Sequence, residues 1–159
     1  MVSNEELHQK VSQDTLESLL KIHGEGDTWD FKETFSLKSR ARAELVRDIL
    51  AFANTVGGGH IVFGVVDKTY VPAGLSLADD QVDTTTIYKA IKDYILSDLQ
   101  LMAAEYQIQI LGWPEKRRFG ILYIPKYYRI AMVFLAEIVA HLATQKGTTV
   151  EILFFCYSH

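Results

Sequence analysis

The stretch Ala51–Asp67, AFANTVGGGHIVFGVVD, decides the fold: the tail of an amphipathic helix runs into three glycines, then an apolar strand, then a carboxylate. Gly57, Gly58 and Gly59 let the backbone leave a helix through conformations barred to residues with a Cβ. A phosphate-binding loop needs strand, glycines and then helix, so that a helix N-terminus faces the anion. Here the order is reversed, the nearer helix end is the negative one, and no Gly-Lys-Ser/Thr follows. The glycines therefore read as a helix exit, and His60–Val66 as a central strand covered on both faces. Asp67 caps that strand on the face expected to carry Ile61, Phe63 and Val65.

Upstream, Arg42–Val56 is the strongest helix, with Leu45, Ile49, Phe52, Ala53 and Val56 on one face. Asn4–Ile22 also has helical spacing, and Thr28–Thr34 alternates as a strand with Trp29 and Phe31 on one side and Asp30 and Lys32 on the other. Downstream, Lys68–Asp79 reads as loop and Thr84–Gln100 as helix. Glu105–Leu111 and Phe119–Pro125 read as a hairpin turned by Gly112 and Pro114. A second apolar helix from Tyr127 to about Gln145 and a strand at Val150–Cys156 complete the pattern. The whole predicts a single α+β domain over residues 1–159, a mixed central sheet with helices packed on it.

The chain has 159 residues, 48% of them hydrophobic and 23% charged, which suits one well-buried domain. A net charge of −4 argues against indiscriminate adhesion to polyanions, so any nucleic-acid surface must be a local basic patch. Cys156 is the only cysteine, and the N-terminus lacks the apolar core of a signal peptide, which points to a cytoplasmic protein. The apolar tract Ile130–Ala143 falls short of the ~20 residues a bilayer span needs and is interrupted by Glu137 and His141, so no membrane role is expected.

If the strands Thr28–Thr34 and His60–Val66 are neighbours, Asp30 and Asp67 can approach one another, with Glu25 in the turn just before Asp30. Clustered carboxylates repel, and a divalent cation is one reason to hold them close; Lys32 would then steady an oxyanion beside them. The same spacing also describes a turn glutamate, a strand-edge aspartate paired with Lys32 and a turn aspartate, and both readings stand at this point. Lys38, Arg40, Arg42 and Arg47 follow the first strand, and Lys116, Arg117 and Arg118 tip the hairpin. Both groups suit contacts to phosphates, which position a nucleic acid without reading its sequence.

The segments GEGDTWDFKETF, ILAFANTVGGGHIVFGVVD and a loop with PAGL resemble the Schlafen AlbA-like domain, a nucleic-acid-binding family once grouped with divergent ATPase modules. The resemblance covers residues 16–125; Gly26 stands where the family commonly has Ser, and Asp30 where it commonly has Glu. It implies a DNA- or RNA-binding domain, acting as a homodimer where one copy must build a groove. In the ribonuclease branch, the three motif acids cut structured RNA with a divalent metal. By motif position these are Glu25, Asp30 and Asp67, with Mg²⁺ or Mn²⁺ as the implied cofactor. A nucleotide-responsive regulator is a further alternative, against which the missing Walker lysine speaks. Residues 126–159 depart from the family as a divergent apolar C-terminal segment, which reads as a dimerisation helix or an altered terminus.

Overall fold

The computed structural model describes residues 3–95 and 98–127. The expected C-terminal helix and strand, and with them the expected dimerisation segment, lie outside the described residues.

Two short helices, α1 (Asn4–Lys10) and α2 (Gln13–Leu20), stand where one helix over Asn4–Ile22 is expected. The break is made by Ser12, whose hydroxyl accepts from the Thr15 N–H and starts a new helix. Then come β1 (Trp29–Lys32), α3 (Ser39–Ala53), β2 (Gly59–Phe63), α4 (Thr84–Ile91), β3 (Met102–Ile108) and β4 (Arg117–Ile124). The four strands form one mixed sheet in the order β1-β2-β4-β3, with β1 parallel to β2 and the other pairs antiparallel. The α+β architecture with helices packed on the sheet is as the sequence predicts.

Each face of the sheet has its own apolar cluster. Ile61, Phe63, Leu122 and Ile124 meet Leu45, Val46, Ile49 and Ala53 of α3 and Ile87 and Ile91 of α4. Phe31, Val62, Phe119 and Ile121 meet Leu7 and Val11 of the first helical segment and Leu16 and Leu20 of α2. Among the described residues, burying eighteen on the α3–α4 side and eleven on the other, at roughly 1.5–3 kcal/mol for each large side chain before the entropy of ordering, is what fixes the layers.

The three glycines do leave a helix, each for its own reason. Gly57 has φ +88° in open space, and Gly58 combines φ +72° with a site where a Cβ would fall 2.2 Å from the Ile124 carbonyl oxygen. At Gly59 a Cβ would overlap the Phe52 ring. Close approach of α3's exit to β4 thus requires this run, and Val56, expected on the helix's buried face, lies past the helix end and is exposed.

Beyond Phe63 the alternation breaks. Gly64, at φ +103°, and Val65 both donate their N–H to the Lys32 carbonyl, at 2.8 and 3.1 Å, a bulge that inserts one extra residue opposite β1. Val65 consequently packs with Val62 on the α1–α2 side, not with Ile61 and Phe63 as expected. Asp67 follows in a tight turn, where the Thr69 N–H donates to the Asp67 carbonyl and the Tyr70 N–H to the Val66 carbonyl.

Candidate nucleic-acid interface and acidic cleft

Period-two alternation puts Asp30 and Lys32 on the face of β1 that looks toward α3. The Lys32 ammonium lies 2.7 Å from Asp30 Oδ2 and 3.0 Å from Asp48 Oδ2. Asp48 is the residue the sequence reading missed. It flanks the apolar stripe of α3, three residues from Leu45 and four from Phe52, and an acid so close to a buried face needs a cation from the sheet. Its Oδ2 is buried and meets Lys32 as an ion pair without an aligned hydrogen bond. Burial works against the Lys32 charge, but its pairing with Asp30 and Asp48 outweighs that and raises its pKa above the usual lysine value.

Glu25 enters from the Gly24–Gly26 turn, which is pinned by the Trp29 indole N–H donating to the Gly24 carbonyl at 2.8 Å. With Gly26, Trp29, Asp30, Asp48, Ala51 and Phe52 it lines a cleft of about 210 Å³ between β1 and α3. Its pKa is raised, first by partial burial, then by the charge and side-chain contact of Asp30, with Lys32 opposing. Asp67 adds the weakest of these influences. Glu25 and Asp30 are therefore brought together, and Asp67 acts on Glu25 through its charge alone. Among the described residues, no three His, Cys, Asp or Glu side chains are grouped to hold a metal ion. In this arrangement the ammonium of Lys32 supplies the positive charge between Asp30 and Asp48.

The basic residues fall into two classes. Lys38, at the N-terminus of α3, and Lys116, in the hairpin turn, are exposed; Arg40 pairs with Glu44 at 2.9 Å and is also largely in water. Arg47 is exposed but bonded to Asp48, and Arg42 rests over the Tyr94 ring. Arg117 is half-buried, its guanidinium 4.1 Å from the centre of the Trp113 ring. Arg118, expected to face solvent, turns inward: it donates to the Ser76 and Asp79 carbonyls and sits 3.6 Å from Glu105. Its neighbours on that loop explain why. Asp79 and Asp80 accept from the backbone N–H groups of Phe35 and Leu37, so the Ser76–Asp80 loop joins the β1–α3 connection to the start of β4. The two basic groups thereby share one end of the sheet, the end where β1 and β2 finish and β4 begins.

The chain matches the family "Schlafen, AlbA_2" over residues 25–143. No curated protein matches the sequence significantly. Among solved structures it is similar to the DIP2311 protein from Corynebacterium diphtheriae, at 22% identity and a TM-score of 0.48, over 78% of this chain and 23% of that one. The chain thus spans about a quarter of that protein's length. No helix among the described residues is long and apolar enough to cross a membrane. By a match that covers most of its length, the chain belongs to the Schlafen AlbA_2 family.

Proposed function

We propose that this domain binds nucleic acid by its phosphate backbone, at the end of the sheet that carries Lys38, Arg40, Lys116 and Arg117. The observation that carries the reading is the Ser76–Asp80 loop, which holds both basic segments at one end while Arg118 braces it from within. Membership of the Schlafen AlbA_2 family supports it. The acidic cleft does not suit a bare phosphate, because Asp30, Asp48 and Glu25 outnumber Lys32 there. Binding of labelled DNA and RNA, single- and double-stranded, followed by anisotropy at rising salt, tests this. Affinity should fall linearly on a log–log plot, and Lys38→Glu and Lys116→Glu should each flatten the slope by about 1. Absence of salt-sensitive binding to every probe at low ionic strength would overturn the proposal.

A second reading, cleavage of structured RNA at Glu25, Asp30 and Asp67 with Mg²⁺ or Mn²⁺, is favoured by the contact between Glu25 and Asp30. Incubation of a folded RNA with either ion separates it from simple binding. Equal cleavage by wild type and Asp67→Ala would sink it.

A further inference from the structure

Leu111 and Leu77 are fully exposed, at 101% and 103%, and both belong to the end of the sheet that carries the basic residues. In a flexible loop an exposed aliphatic side chain has no fixed position. The hairpin loop is instead braced: the Trp113 N–H donates to the Ile110 carbonyl at 3.1 Å, and the Gln109 amide donates to the Trp113 carbonyl at 2.8 Å. Gly112, at φ +88°, makes the reversal immediately after Leu111. Leu111 is thus held outward in advance, so that little further ordering is lost when it meets a partner. Lys116 and Arg117 outnumber Glu115 on the same tip, and Arg117 is fixed by its stack on Trp113.

An apolar point flanked by one fixed and one exposed cation matches the chemistry of a base step, whose flat apolar faces lie between phosphates. Aliphatic wedges of this kind unstack bases and kink duplexes. A lipid surface also combines anions with apolar matter, but one leucine buries too little to hold a protein there without a broad apolar face. We propose that the hairpin tip inserts Leu111 between adjacent bases of the bound nucleic acid, with Arg117 and Lys116 on the flanking phosphates and Leu77 as a second apolar contact. This rests on the phosphate-binding reading above and specifies what that surface does to its ligand.

The test uses the full chain and duplexes carrying 2-aminopurine, whose emission rises when it is unstacked, with anionic phosphatidylserine vesicles as a parallel probe. Wild type should bind and raise the emission. Leu111→Ser should bind with the same salt slope and lose the rise, with an unchanged melting temperature because the side chain makes no core contact. Binding without any rise, or an undiminished rise in Leu111→Ser, would overturn the wedge and leave phosphate binding intact. Loss of binding in Lys116→Glu with Leu111→Ser unaffected in both readouts would likewise overturn it. No binding by wild type would overturn the underlying reading, and Leu111-dependent binding to vesicles alone would overturn both.

Discussion

Beside α3, Lys32 is clamped between Asp30 and Asp48, and Glu25 leans on Asp30 from a pinned turn. At the end of the sheet, Lys38 and Lys116 project into water, and the one arginine that turns inward, Arg118, serves to hold the loop between them. The cation of the cleft is taken up by the protein's own acids, whereas cations at the sheet end are left over. Surplus positive charge is what a polyanion can use, while a lysine held between two acids stabilises its own neighbourhood and offers a polyanion little.

Arg118→Ala should have the largest effect on this contrast. It removes two charge-assisted bonds to carbonyls and leaves Glu105, which also accepts from the Val82 N–H, without its cation. A loss of about 2–4 kcal/mol in urea unfolding is expected, together with weaker nucleic-acid binding as the two basic segments part. Full stability with normal binding would show that the loop does not couple them. Lys32→Met comes next, at about 1–2 kcal/mol once its partial exposure is allowed for. Because the folded protein raises the Lys32 pKa above the ordinary 10.5, its contribution is complete below that pH and fades as pH rises through the raised value. The difference between wild type and variant should therefore be flat through neutral pH and shrink in strong alkali; binding should not change. The smallest effect belongs to Glu25→Gln. Folding raises the Glu25 pKa, so the charged form is disfavoured and the residue lowers stability above its unfolded pKa. The variant should gain at most about 0.5 kcal/mol at pH 7, because Glu25 is exposed and screened, and the gain should vanish below pH 4. A loss at pH 7 would mean that the glutamate is tied into the cleft by bonds stronger than its repulsions.

Much of the fold could be read from periodicity. The continuous apolar run of β2, the stripe of α3 and the polarity argument at Gly57–Gly59 depend on local spacing, and local spacing decides them. The alternating pair Asp30 and Lys32 was legible for the same reason. What could not be read depends on contacts distant in sequence. Gly64 looks like any strand glycine until its φ and the shared Lys32 carbonyl reveal a bulge, and that single inserted residue moves Val65 off the face where alternation puts it. Arg118 looks like its neighbours in a basic run, yet three carbonyl and carboxylate partners from other segments claim it. Asp48 had a weak signal in its position beside the stripe, but only the sheet supplied the lysine that explains it.

The Tyr127 N–H donates to the Ala53 carbonyl at 2.7 Å, sewing the chain after β4 to the exit of α3. This stitch lies at the pole where β2 begins, opposite the hairpin tip. Tyr127 itself is thereby fastened at that far pole, so a substitution at this stitch leaves the basic end unobstructed.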